Sequence, residues 1–166
     1  MTADLSSPEG SAGRIFQINV SKGGVPKLAI PEAELGFMGV AGDAQRNLES
    51  HGGLERAVIL FSLELILALQ AEGHQIYPGA LGENLTVVGL DWSRVVPESR
   101  LRLGEGLLLE ITRYTPPCTN IAHVFIGGDY SRVSQKRFPG WSRVSARVLQ
   151  PGALHVGSPV VLLQLN

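Results

Sequence analysis

Cysteine is almost missing from this chain. With one residue of that type in 166, Cys118, no internal disulfide can form and no cysteine-held iron–sulfur cluster can be assembled. Charge is sparse too: charged residues make up 17% of the chain and the net charge is −1, with both signs interspersed. No basic stripe interleaved with aromatics occurs, which removes the sustained positive field that gripping a nucleic-acid polymer requires. Long hydrophobic runs are lacking as well. The longest, around Ala57 to Leu69, is broken by Ser62 and Glu64 and is too short to cross a bilayer. The first residues show no charged-then-apolar pattern of a secretory signal. Together these absences lead us to expect a cytoplasmic protein in a reducing compartment, with neither a membrane nor a nucleic-acid polymer as its partner.

What the chain does have is glycine, proline and short apolar runs. Hydrophobic residues reach 44%, and 20 glycines and 10 prolines recur between short β-branched or leucine-rich stretches, a spacing that favours many short strands joined by turns. Residues 1–13 are small, polar and aperiodic and read as a loose tail; residues 14–166 read as one domain. Arg14 to Val20 predicts a strand with one well-buried face, Ser21-Lys22-Gly23-Gly24 a turn, and Val25 to Ile30 the return strand of a hairpin. Ala57 to Phe61 predicts a buried strand. Ser62 is the natural N-cap of a helix that ends near Gly73, because apolar positions change to helical spacing directly after it. Glu83 and Asn84 stand at the entrance of a strand containing Leu85, Thr86 and Val87. Two strands around Gly104-Glu105-Gly106 deliver the chain to Cys118; one broken or two short helices are expected over 121–126 and 131–138, with Gly127-Gly128-Asp129 between them. Strands are expected over 141–149 and 156–165, the latter interrupted by Gly157 and Pro159, with Pro151-Gly152 as a turn between them. The expectation is a mostly β domain: a closed or nearly closed barrel with a few helices at its ends. Its edges could pair, so monomer and homodimer are both compatible.

Four places stand out chemically. In Tyr114-Thr115-Pro116-Pro117-Cys118, two consecutive prolines remove two backbone donors and hold φ at about −65°. A strand entering this stretch must stop pairing and present the cysteine on a stiff lip. There the thiolate can act as nucleophile, sulfur carrier or soft-metal ligand; the alternative is a small buried hydrophobe. In His51-Gly52-Gly53 the glycines allow a close approach of backbone to ligand beside an imidazole, or simply a tight turn. The strand-to-helix junction at Ser62 directs free N–H groups and a hydroxyl to one spot, although capping alone accounts for it. Asn84 offers a carbonyl and an amide together, suited to a heterocycle edge or to a loop-stabilising turn.

In order, Asn19-Val20-Ser21-Lys22-Gly23-Gly24-Val25-Pro26, His51-Gly52-Gly53, the Gly82-Glu83-Asn84-Leu85-Thr86 segment and Pro116-Pro117-Cys118 resemble the MOSC family, named after the C-terminal domain of molybdenum cofactor sulfurase. The resemblance runs from about Arg14 to Leu163. It implies a MOSC-type β-barrel that handles the molybdenum cofactor (molybdopterin), with Cys118 as the residue associated with the metal or with sulfur transfer. By motif, it places cofactor contacts at Ser21, Ser62 and Asn84, with Thr86 and His51 as further candidates; Lys22 is added for its charge, and His51 is by its chemistry the proton donor expected to act with Cys118. Where amidoxime-reducing relatives carry basic residues, Pro117 and Glu83 stand here; Lys22, Arg46 or Arg113 are then the candidates for the cofactor phosphate. The implied activity is reduction of an N-hydroxylated small molecule, such as a hydroxylaminopurine or an amidoxime, with electrons from a separate donor protein. The alternative is a non-catalytic cofactor or persulfide carrier that serves a client enzyme.

Overall fold

The structure is a computed structural model that describes residues 12–44 and 53–163. Its first strand, β1 (Ala12–Val20), alternates imperfectly because a bulge lies between Ile15 and Gln17. The extra residue brings Ile15 and Ile18 to the same buried side and leaves Phe16 outside. β2 (Leu28–Ile30) returns along the end of β1, pairing Ile18 with Ile30. It is shorter than the expected 25–30 strand: the Lys27 amide donates instead to the Gly79 carbonyl (2.9 Å), so the chain at that point is tied to another loop. β3 (Glu32–Gly36) and β4 (Gly39–Val40) form a small separate sheet with β10 (Gly152–His155).

β5 (Val58–Ser62) is buried at every position, as its unbroken apolar sequence requires. Helix α1 (Leu63–Ala71) follows, with Ser62 Oγ accepting from the Leu65 amide (3.3 Å) as N-cap. It ends at Glu72 before Gly73, whose φ of 103° suits a glycine. The helix is the crossover that makes β5 and β6 (Leu85–Val88) parallel; the barrel's other pairings are antiparallel. β7 (Arg100–Leu103) and β8 (Leu107–Tyr114) are the hairpin leading to Cys118, followed by β9 (Val144–Gln150) and β11 (Pro159–Leu163). In the order β11-β7-β8-β9-β5-β6-β1, closed by pairing of β1 with β11, seven strands form a barrel, with β2 added outside. The inside is filled by Ile18, Leu60, Phe61, Leu85, Leu101, Leu109, Val144 and their neighbours.

Two expectations over the last third are replaced. Residues 119–133 form short 3₁₀ turns rather than α-helices, broken where Gly127 and Gly128 take φ of 62° and 70°. Gly152, expected in a turn with Pro151, instead opens β10, and the interruption expected at Gly157 and Pro159 falls where Gly157 (φ 89°) separates β10 from β11. Among the described residues no helix is long and apolar enough to cross a membrane.

Candidate functional site

Four connections converge on one cleft: the turn after β1, the segment before β6, the lip after β8 and the residue before β9. Gly24, Val25 and Lys27 come from the first, Leu81, Gly82 and Asn84 from the second, Cys118, Asn120 and Ile121 from the third, and Arg143 from the fourth; Ala44 and Ile59 complete the lining. Counted out to its open mouth and including solvent space, the cleft holds ≈ 610 Å³ of atom-free volume. Cys118 is half-buried on its wall and free of any disulfide. The proline pair has the predicted effect: β8 stops at Tyr114, and Cys118 is extended, with φ −141° and ψ 175°.

Behind one wall, Asp43 organises the early turn. Its Oδ1 accepts from Lys27 Nζ (2.6 Å) and from the Ser21 amide (2.9 Å), and its Oδ2 accepts from Asn84 Nδ2 (2.9 Å). Both members of the Lys27–Asp43 pair are nearly buried. Asn84 is fully buried, and its side chain is engaged on all sides: Oδ1 accepts from the Ile59 amide (3.0 Å), and Nδ2 also donates to the Asn19 carbonyl (3.3 Å). Asn84 therefore locks β5, the end of β1 and Asp43 together. Asn19 does similar work, donating to the Glu83 carbonyl and to Thr86 Oγ1.

A second pair lies across the cleft. Arg143, 5% exposed, donates through Nη1 to the Leu81 carbonyl (2.7 Å) and through Nη2 to the Pro116 carbonyl (3.2 Å). Glu83 has no exposed surface; its Oε2 accepts from Thr86 Oγ1 (3.2 Å), while Oε1, like Arg143 Nε, has no hydrogen-bond partner among the described residues. Burial pushes the Glu83 carboxyl up from 4.5 to about 7, more than the backbone amides, the Thr86 hydroxyl and the Arg143 charge pull it down. Burial likewise lowers the Arg143 guanidinium from its ordinary value, opposed by Glu83 and Cys118. The cleft lining thus contains two basic side chains, Lys27 and Arg143, whereas Asp43 and Glu83 stand behind it.

Comparison with known proteins bears on this arrangement directly. The MOSC domain model matches residues 47–161, which include Asn84, Cys118 and Arg143. This chain belongs to the MOSC family. The MOSC chain is 30% identical over 123 residues to the uncharacterised protein YflK of Bacillus subtilis (strain 168), covering 74% of this chain and 54% of the relative. It is 28% identical over 161 residues to protein YiiM of Escherichia coli (strain K12), covering 94% of this chain and 66% of the relative. It therefore spans about half to two thirds of the length of these curated relatives. The crystal structure of YiiM from Geobacillus stearothermophilus superposes with a TM-score of 0.73 at 24% identity, covering 92% of this chain and 75% of that one. The fold is shared: a mostly β barrel of MOSC type.

Within this MOSC protein the residues singled out from sequence fall in different places. Cys118 and Asn84 meet in the cleft. Ser21 stands at its edge, its Oγ donating to the Gly24 carbonyl and lying 3.5 Å from Lys27 Nζ. Lys22 is exposed and outside the lining, Thr86 is buried behind it, and Ser62 caps α1 and does not line the cleft. Arg113 lies outside the lining as well. His51 and Arg46 lie outside the described residues. Lys27, Asp43 and Arg143 were not singled out; Lys27 follows Gly23-Gly24-Val25-Pro26 directly, and that adjacency was the available signal. Among the described residues no cluster of three or more His, Cys, Asp or Glu side chains could hold a metal. What this wall offers a soft metal is one sulfur.

Proposed function

We propose that this MOSC protein binds the molybdenum cofactor in the cleft, with the Cys118 sulfur toward the metal, and reduces N-hydroxylated small molecules such as hydroxylaminopurines or amidoximes. The observation that supports this most is the lone, half-buried thiol on the wall of a largely apolar cleft that is also lined by two cations. The residues fit such a group. A thiolate is a soft donor suited to molybdenum, Lys27 and Arg143 favour a ligand carrying phosphate, and the side chain of Asn120 at the mouth offers both donor and acceptor. When bound, the cofactor supplies a metal able to take up oxygen and exchange electrons.

The protein's own part is to hold and orient. The Pro116-Pro117 lip keeps Cys118 extended, and Asn84 with Asp43 keeps the facing turn rigid. The overall conversion of N–OH to N–H and water consumes two electrons and two protons. A separate electron-donor protein delivers the electrons, since the single cysteine cannot build a cluster. His51 is the proton donor the sequence offers, on chemical grounds.

Anaerobic purification from a molybdenum-replete host tests the proposal. The expected result is near-stoichiometric molybdenum and pterin, with reduction of a hydroxylaminopurine from an artificial electron donor, both lost in Cys118→Ala. A Cys118 persulfide without molybdenum would instead assign the protein to the carrier class, handing sulfur to a client enzyme.

A further inference from the structure

The Cys118 lip has little of its own to hold it. Two of its residues lack an amide donor, and the 3₁₀ turn that begins after Cys118 has no side-chain cap. Its anchors come from 142–145. The Thr115 amide donates to the Arg143 carbonyl (2.9 Å), Thr115 Oγ1 and Ser145 Oγ share a hydrogen bond (2.8 Å), and Ser142 Oγ donates to the Thr115 carbonyl (3.3 Å). All three stop at Thr115. Beyond it, the Arg143 side chain donates to Pro116, two residues before the sulfur, and to Leu81, directly before Gly82-Glu83-Asn84 on the facing wall.

One planar cation therefore joins the two walls of the cleft. For stability alone this is a poor choice: burying a guanidinium is costly, and an apolar side chain of similar volume often does as well or better. The cost is visible here. Both acceptors are neutral carbonyls, Arg143 Nε has no hydrogen-bond partner among the described residues, and the carboxyl coupled to Arg143, Glu83, is not hydrogen-bonded to it. What a guanidinium provides and an apolar chain cannot is two rigidly spaced donors in one plane.

We infer that Arg143 is a positioning residue: its two-pronged hydrogen bonding sets the separation between the Cys118 lip and the Leu81–Asn84 wall, and so the approach of the sulfur to whatever occupies the cleft. The inference rests on reading Cys118 as the working sulfur, but not on the identity of the cofactor. A lysine keeps the charge and loses the paired, coplanar donors, so span and charge can be separated.

Because the chain has one cysteine, alkylation by iodoacetamide reports that sulfur alone. The expected result in metal-free protein is that Arg143→Lys and Arg143→Met both change the limiting, high-pH alkylation rate by about tenfold, the scale of losing one or two such bonds. Molybdenum occupancy after expression in a replete host falls in Arg143→Lys while the variant remains folded by circular dichroism. A wild-type alkylation rate in both variants overturns the inference, as does full rescue by lysine with loss only in methionine, which would make charge the whole effect. If molybdenum is absent from wild type while alkylation responds as expected, the cofactor reading fails and the positioning role stands. Should neither variant fold, hydrogen exchange of the wild-type protein decides. The Gly82 amide, bonded to Gly79, and the Ile121 amide, bonded to Cys118, lie on opposite walls. Protection agreeing to within about threefold supports a shared tie, and a difference beyond tenfold refutes it.

Discussion

Replacing Glu83 by glutamine is expected to stabilise the protein above neutral pH and to do nothing in acid. The carboxyl is fully buried, with one oxygen on Thr86 and the other without a hydrogen-bond partner among the described residues, and burial raises it from 4.5 to about 7. Between those two pH values the folded protein keeps a proton that the unfolded chain has released, so stability falls as pH rises through that window and levels off above it. At about 1.4 kcal/mol per pH unit, the total decline is roughly 3 kcal/mol. Glutamine resembles the protonated carboxyl and escapes this decline. Urea unfolding of wild type and variant from pH 4.5 to 8.5 should give curves that coincide at the acid end and diverge to roughly 3 kcal/mol by pH 8, or about 6–12 °C in melting temperature for a chain of this size. Subtracting one curve from the other cancels the opposite slopes of Glu72 and Glu110, whose carboxyls arginines hold below their ordinary value. Parallel curves would refute the reasoning. So would a variant less stable at pH 8, since Arg143 would then need the carboxylate charge more than burial penalises it.

Other outcomes follow from the same contacts. Asp43→Ala leaves Lys27 buried without its counter-charge and should cost about 3–5 kcal/mol in urea unfolding; adding Lys27→Met should recover a measurable part of that loss in a double-mutant cycle. Ser62→Ala removes the α1 cap and should cost about 1 kcal/mol by the same measurement, with molybdenum content unchanged, because Ser62 does not line the cleft. Glu55→Ala removes an exposed partner of Arg147 and should shift stability by less than about 1 kcal/mol.

The parts of this protein that could be read from its letters are those decided by neighbours in the chain. The buried run of β5, the Ser62 cap and the stop at Pro116-Pro117 each depend on residues a few positions apart. So does the family resemblance, which rests on short motifs. The cleft's electrostatics do not. Lys27 meets Asp43 across 16 positions and Arg143 meets the Leu81 carbonyl across 62, pairings that only barrel closure creates. Arg143 fell inside the strand expected over 141–149 with no role of its own, and its carbonyl partners, Leu81 and Pro116, lie far from it in the chain. Helices were expected over 121–126 and 131–138, parted at Gly127-Gly128-Asp129; glycines at positive φ do part the segment, but its pieces are short 3₁₀ turns.

Having its sole thiol half-buried on the cleft wall means that oxidant and ligand compete for the same atom. A sulfenic acid or a mixed disulfide with a small thiol formed there would take up room in the cleft and could be undone by a reductant, whereas a sulfinic acid could not.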